Sequence, residues 1–216
     1  MRKQYDQQLE AVHNGLIRMG ALCEDAIASA AKALLDGDEA TRAEAVALEH
    51  DIDMIEREIE SMCVRLLLHQ QPMAGDLRQV TAAQMMIIDM ERIGDQAADI
   101  ADISAFMRGS PVKSDARISD MARATAKMVT ESIDSFVRED LELARSVIRY
   151  DDVVDGLFSQ IKRQLIERLR SDGAYAQECL DLLMIAKYFE RIGDHAVNIA
   201  GWVIYFLTGN REVESL

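Results

Sequence analysis

The chain contains two copies of one segment, and this internal repeat constrains its fold more than any other feature. Residues 91–101 read ERIGDQAADIA and residues 190–200 read ERIGDHAVNIA, so eight of eleven positions are identical, about 99 residues apart. A weaker match lies upstream, where residues 49–55 correspond to residues 151–157. Because the segments follow the same order in both halves, we interpret the chain as an internal duplication.

Each half divides into three long helical patterns. We predict helices over residues 3–35, 39–69, 76–107, 115–138, 140–170 and 175–208. Apolar residues recur at helical spacing, and no stretch has the alternation of a strand. Short turns at Pro72 and Gly173 force neighbouring helices to run antiparallel. The predicted fold is all-α, a tandem repeat of two antiparallel three-helix bundles over residues 1–109 and 112–216, separated at Gly109.

Composition and charge exclude several functions. A net charge of -14 repels phosphate backbones, so we expect no nucleic-acid partner. The three cysteines, Cys23, Cys63 and Cys179, lie in apolar helical patterns without CxxC spacing, which predicts buried thiols in a reducing cytoplasm. No signal peptide or membrane-spanning run is found, so membrane contact is expected only through partners. No nucleophile triad, P-loop or dinucleotide-binding glycine motif is present, so we do not expect an enzyme.

Acidic residues recur in pairs four positions apart, which places both members on one helix face. The pairs are Glu49/Asp53, Glu91/Asp95, Asp151/Asp155 and Glu190/Asp194. In an antiparallel hairpin, residues equidistant from the turn lie level with each other. The pairs of the first half are centred near Pro72, and those of the second half between Asp172 and Gly173. The sequence therefore predicts four facing carboxylates in one helix–helix groove of each bundle.

The sequence allows two interpretations of these acids. They could form a solvated acidic face, partly neutralised by Arg92 and Arg191. Alternatively, they could bind hard cations such as Mg, Mn, Ca or Fe(III), which prefer carboxylate ligands. The spacing does not decide between a solvated face and a metal site.

Two other candidate ligands are weaker. Glu10 and His13 have the ExxH spacing of ferritin-like di-iron proteins, but such a site needs a second ExxH motif, and none occurs in the other half. We therefore predict that they are surface residues of the first helix. His195 follows Asp194 but lies about 100° round the helix, so we predict a surface residue or a neighbour of a ligand.

Several segments resemble the PhoU family, the regulators of phosphate-specific transport. The two ERIGD segments look like its paired signature, and residues 5–9, 71–78, 151–155 and 207–209 resemble further family segments. The resemblance covers nearly the whole chain and implies two three-helix bundles, a homodimer, and metal clusters held by E/DxxxD motifs. Those motifs fall on the eight acids named above. The implied metals are divalent or trivalent, such as Fe, Zn, Mn or Mg.

The resemblance also implies a function. Family members act as non-enzymatic negative regulators that couple the ATPase subunit of the phosphate ABC transporter to a sensor histidine kinase, repressing the phosphate-starvation response when phosphate is plentiful. The alternatives are a metal-binding helical protein of storage or redox type, and a structural scaffold not tied to phosphate. Gln96 and Asp99 stand where the second copy has His195 and Asn198, so the two metal sites are expected to differ.

Overall fold

The computed structural model describes residues 2–69, 74–112 and 117–211, which form six long helices. These are α1 (Arg2–Asp36), α2 (Glu39–His69), α3 (Ala74–Ser104), α4 (Ile118–Val137), α5 (Leu141–Ser171) and α6 (Ala176–Thr208). Short 3-10 turns follow α3 and precede α6, and none of the described residues lies in a strand. The all-α prediction is confirmed, with helix ends displaced by a few residues. The predicted turn at Pro72 lies outside the described residues.

Local sequence signals explain several of the helix ends. Gly37 ends α1 with a positive φ of 71°, which glycine adopts without steric cost. The Asp38 carboxylate then caps α2, accepting hydrogen bonds from the Thr41 amide at 3.3 Å and the Thr41 hydroxyl at 2.6 Å. Asp140 caps α5 in the same way, and Gly209 ends α6 at φ 83°.

Each half is an antiparallel three-helix bundle, as the repeat predicts. In the first half α1 packs against α2 and α3, and in the second half α4 packs against α5 and α6. The halves even share a specific hydrogen bond at corresponding positions. The Cys23 thiol donates to the Met90 carbonyl at 3.4 Å, and the Thr125 hydroxyl donates to the Phe189 carbonyl at 3.3 Å. The predicted tandem repeat of bundles is therefore confirmed.

The two bundles pack side by side. Helix α3 contacts α6, and α1 contacts α4, so α2 and α5 lie on the outside. Helices α3 and α6 run antiparallel, since Phe106 just after α3 lies near Gln177 at the start of α6, while Gly209 after α6 lies beside Arg78. The buried apolar residues of both halves form one continuous cluster. The predicted domain boundaries at residues 109 and 112 stay a prediction.

This arrangement determines where the acidic residues can lie. Helix α1 covers one side of the α2–α3 pair, and α4 covers the same side of the α5–α6 pair. The opposite side is a single face on which α2, α3, α6 and α5 lie in that order. The grooves between α2 and α3 and between α5 and α6 both open on this face.

Two further sequence predictions bear on the environment of the protein. Cys23, Cys63 and Cys179 are all buried and free, which confirms the prediction of buried thiols. Among the helices that the structure describes, none has the length and apolar character needed to cross a membrane.

Candidate functional site

The structure brings the predicted acids together in two places. We call the groove between α2 and α3 the first groove, with the acids Glu49, Asp53, Glu91 and Asp95. The groove between α5 and α6 is the second groove, with the acids Asp151, Asp155, Glu190 and Asp194. Seven of these eight residues are partly buried and Asp155 is exposed.

Glycines in the ERIGD segments let the helices of each groove approach closely. A Cβ atom added to Gly94 would lie 3.0 Å from the Cδ1 of Ile52 on α2, so a larger residue would push against this side chain. At the corresponding position, a Cβ atom on Gly193 would lie 3.5 Å from both Val154 and the Oδ1 atom of Asp151. The close approach places acids of the two helices within reach of one another.

Repulsion between facing carboxylates is evident in the first groove. Burial raises the pKa of Glu49, and the charges of Asp95 on the opposite helix and Asp53 on its own helix raise it further. Burial also raises the pKa of Glu91, to which Asp95, Glu56 and Asp53 contribute. The level pairs expected from the hairpin geometry, Glu49 with Asp95 and Asp53 with Glu91, are thus electrostatic neighbours.

Arginines offset much of this repulsion. The Arg57 guanidinium lies 2.7 Å from Asp53, and Arg92 lies 3.0 Å from Asp95 and 3.3 Å from Glu91. Three of the four first-groove acids therefore have a basic partner. Within the described part of the chain, Glu49 forms no ion pair. Arg92 therefore pairs with two acids of its cluster, as one of the two sequence-based interpretations suggested, and compensates their charge in part.

In the second groove the strongest electrostatic effect falls on Asp151. Burial raises the pKa of Asp151 to about 6, with further contributions from Asp155, Asp194 and Glu190. Burial and Glu190 also raise the pKa of Asp194, while Lys187 and His195 act in the opposite direction. Both carboxylates are thus held where their charged form is disfavoured.

Fewer counter-charges reach the second groove. The Lys187 ammonium pairs with Glu190 and lies 5.6 Å from the centre of the Phe158 ring. Arg191, the counterpart of Arg92, is exposed and pairs with no acid among the described residues, so it does not neutralise the second groove as the sequence suggested. The Oδ1 atom of Asp151 is buried and has no hydrogen-bond partner in the described structure. A buried carboxylate oxygen without a donor is costly, and a cation or a proton would relieve it.

The eight acids do not form a complete coordination sphere for a metal ion. Among the residues that the structure describes, no group of three or more histidine, cysteine or acidic side chains is gathered closely enough to hold a metal ion. What the grooves offer is a set of carboxylate oxygens at the surface, with partial burial and incomplete charge compensation. The assignment of these acids as metal ligands stays a prediction.

The two weaker candidates lie elsewhere. Glu10 is exposed on α1, and the partly buried His13 ring packs against Phe136 with ring centres 5.0 Å apart. Of the two positions predicted for His195, the surface position is wrong, because α6 packs against α3 there, and the position beside a metal ligand stays a prediction. Its Nδ1 atom lies 2.9 Å from the Oδ1 atom of Asp89, and only 18% of its side chain is exposed. The sequence reasoning missed Asp89, although this acid interrupts the apolar run of residues 85–90.

Comparison with known proteins agrees with this architecture. A family model described as the PhoU domain matches the chain twice, over residues 16–104 and 118–203. A "Phosphate-specific transport system accessory protein PhoU homolog" of Pseudomonas aeruginosa is 35% identical over 209 residues, covering 96% of this chain and 86% of the relative. A protein with the same description from Clostridium acetobutylicum is 34% identical and covers 97% of each chain.

Solved structures share the fold. The crystal structure of PhoU from Pseudomonas aeruginosa superposes with a TM-score of 0.90 at 35% identity, covering 95% of this chain and 100% of that one. The phosphate transport system regulatory protein PhoU from Streptococcus pneumoniae also gives a TM-score of 0.90, at 23% identity and with 97% of this chain covered, which supports the fold alone. With two PhoU domains over most of its length and these close relatives, the chain belongs to the PhoU family.

Proposed function

We propose that this protein is a non-enzymatic negative regulator of phosphate uptake and of the phosphate-starvation response. The observation that carries the proposal is the match to phosphate-specific transport accessory proteins along 96% of the chain, with both repeats included. The helical architecture supports a role through protein contact, since its most distinctive surface is an acidic face.

Deletion of the gene tests this regulatory role. In phosphate-rich medium, a strain lacking the protein should express a phosphate-starvation reporter that the parent strain keeps silent. Reintroducing the intact chain should restore silence, and an empty vector should not. If the reporter stayed silent in the deletion strain, with transporter and kinase genes intact, negative regulation would be refuted.

The partners that fit this role are the ATPase subunit of the phosphate ABC transporter and a sensor histidine kinase, with the membrane reached only through them. The net charge of -14 and the acidic face favour basic partner surfaces. Binding of the purified chain to the isolated ATPase subunit and to the cytoplasmic part of the kinase can be measured at several salt concentrations. Binding to only one of the two would contradict the adaptor role.

We also propose that the grooves bind cations, with Fe, Zn, Mn or Mg as candidates. The first-groove acids and the second-groove acids would hold them, and the bound charge would remove the repulsion between facing helices. The donor types suit such an ion, because all are carboxylate oxygens and one oxygen of Asp151 is buried without a donor, and binding would draw the side chains of each groove closer together than they lie in the structure. Neutralised grooves would keep α2 against α3 and α5 against α6, preserving the face available to partners.

Elemental analysis and calorimetric titration with Mn²⁺ test this proposal. The Glu91→Ala/Asp95→Ala chain should lose first-groove metal, and the Asp151→Ala/Asp194→Ala chain should lose second-groove metal. A matched control, Asp51→Ala/Asp152→Ala, removes two exposed acids from α2 and α5 and should bind as the parent does. Metal-free parent protein would instead support a scaffold with solvated acids.

The homodimer implied by the family resemblance is a separate proposal. Light scattering of the purified chain should give about twice the chain mass of 24.2 kDa. A mass that stays at one chain over a wide concentration range would contradict it.

A further inference from the structure

Six polar side chains meet where α3 packs against α6, and we call them the seam. They are Asp89, Gln96 and Asp99 on α3, and Tyr188, His195 and Asn198 on α6. Asp89 and Gln96 are almost fully buried, with exposures of 9% and 4%. Buried polar groups are costly unless they are satisfied, so their arrangement carries information about what this interface accepts.

Each carboxylate of the seam faces a donor on the other helix. Asp89 accepts hydrogen bonds from the His195 ring at 2.9 Å and from the Asn198 amide at 3.2 Å. Because a carboxylate only accepts, the hydrogen lies on the Nδ1 atom of His195. Asp99 is hydrogen-bonded to the hydroxyl of Tyr188.

The ends of the network are fixed as well. The Gln96 amide nitrogen lies 3.4 Å from the second ring nitrogen of His195. Arg211 donates to the Asn198 carbonyl oxygen at 3.3 Å while its guanidinium stacks 4.0 Å from the centre of the Trp202 ring. This contact orients the Asn198 amide so that its nitrogen points at Asp89.

The contacts of the seam are reciprocal. In the aligned repeats, position 89 corresponds to 188, position 96 to 195 and position 99 to 198. Position 96 meets position 195, position 89 meets position 198, and position 99 meets position 188, while the bond from His195 to Asp89 is an additional contact of the unlike pair. Such reciprocity is the property of a two-fold interface, so α3 and α6 pack as two copies of one surface would.

The residue types at these positions differ between the two repeats, which makes the unlike pairing different from a pairing of like repeats. If two first repeats met through the same contacts, Asp89 of each would face Asp99 of the other, and the Gln96 amide, standing in the place of His195, would be the one seam donor beside them. Like charges that face each other beside the almost fully buried Asp89 disfavour association. If two second repeats met, His195 would face His195 with no carboxylate to accept its hydrogen. The contact between unlike repeats gives each carboxylate of the first repeat a donor on the other helix and places no carboxylate against another.

We propose that the seam is a pairing code by which the first repeat selects the second repeat as its partner and rejects another copy of itself. The code consists of a carboxylate at position 89 matched by His195 and Asn198, and a carboxylate at position 99 matched by Tyr188. It directs a duplicated sequence, whose halves present similar packing surfaces, to pair within one chain rather than between first repeats of different chains.

A cycle of substitutions in the full chain tests the code. Asn198→Asp recreates inside one chain the carboxylate–carboxylate contact that two first repeats would make. Arg211 would neutralise this new charge, so all chains carry Arg211→Gln. Thermal midpoints are measured with a chelator present, so that bound cations do not contribute. We expect Asn198→Asp to lower the midpoint by roughly 5 °C, and Asp89→Asn added to it to recover at least half of that loss.

Recovery of the thermal midpoint should require the substitution of Asp89, the seam partner of position 198. Asp102→Asn, which removes an exposed acid of α3 that pairs with Arg42, should not rescue Asn198→Asp. If the chain with Asn198→Asp alone does not fold, the comparison becomes whether Asp89→Asn restores its helical circular dichroism. The proposal is overturned if Asn198→Asp leaves the midpoint unchanged, or if Asp89→Asn rescues no better than Asp102→Asn.

Discussion

The two grooves carry the same acidic motif but balance its charge differently. Among the residues that the structure describes, three of the four first-groove acids pair with Arg57 or Arg92, whereas in the second groove only Glu190 has a basic partner, Lys187. The sequence explains part of the difference, because Ser159 stands in the second copy where the first has Arg57. The repeated motif therefore does not produce two equal sites.

The two grooves do not differ in net charge. Glu56 adds a fifth carboxylate to the first groove, and its counterpart in the second is Phe158. The first groove has five acids and two arginines, and the second groove has four acids and one lysine. Each groove therefore carries three uncompensated negative charges. The difference lies in placement, since the second groove holds a buried oxygen of Asp151 without a donor. Local burial and ion pairing therefore determine how strongly each groove binds a cation or a proton.

The largest expected effect is on cation binding. Replacing Asp151 and Asp194 by asparagine should weaken binding of Mn²⁺ by about 100-fold, because this groove holds the buried oxygen of Asp151 that has no donor. The matched change in the first groove, Glu49→Gln with Asp95→Asn, should cost about 10-fold, since arginines already compete there. Calorimetric titration measures both. Equal losses would remove the distinction between the grooves.

The next effect is on stability without metal. The pKa of Asp151 is raised from 3.8 to about 6 in the folded protein, so its charge destabilises the fold as pH rises through that range. Asp151→Asn should therefore stabilise the metal-free protein on the order of 2 kcal/mol at pH 7 and hardly at all at pH 4. Denaturant unfolding at both values measures this. Asp152→Asn, at an exposed neighbour, serves as the control, and destabilisation by Asp151→Asn at pH 7 would contradict the burial argument.

A smaller effect separates the glycines of the two grooves. Alanine in a helix is favoured over glycine by about 1 kcal/mol. Gly193→Ala meets only ordinary contacts at 3.5 Å and should gain most of this, whereas Gly94→Ala must displace Ile52 from 3.0 Å. Thermal unfolding of the two variants should thus show Gly193→Ala as the more stable. The reverse order would mean that the second groove is the tighter one.

The smallest effect concerns the counter-charges. Arg57→Ser gives the first groove the residue of the second, and should lower stability by about 0.5 kcal/mol because the pair is exposed to solvent. The same change should strengthen cation binding in the first groove. Lys187→Ile, the matched change in the second groove, should act in the same direction. If neither changed Mn²⁺ affinity, internal pairing would not be what separates the grooves.

Much of the fold could be predicted from periodicity, because the ends of long helices are governed by local chemistry. Gly37 and Asp38 end one helix and begin the next with no help from the rest of the chain. The facing acids were predictable for a related reason, since two helices joined by a short turn rise equally per residue. Glu49 and Asp95 become neighbours through this geometry alone.

Contacts between the repeats could not be predicted from the sequence pattern of a single helix. His195 looks like a surface residue along its own helix, and only the packing of α6 on α3 brings it to Asp89. The burial of Asp151 likewise depends on how closely α5 and α6 approach. Arg57 was predictable in principle, because it lies four residues after Asp53 on one helix face. Arg191 illustrates the limit, since it shares its motif position with Arg92 yet pairs with no acid among the described residues.

The continuous apolar cluster through both bundles has a thermodynamic consequence. Neither half can lose its structure without exposing apolar surface of the other, so partial melting is disfavoured. Heating should therefore produce one heat-absorption peak with equal calorimetric and van't Hoff enthalpies. The duplicated sequence therefore folds as a single cooperative unit, in which a substitution that destabilises one bundle also destabilises the other.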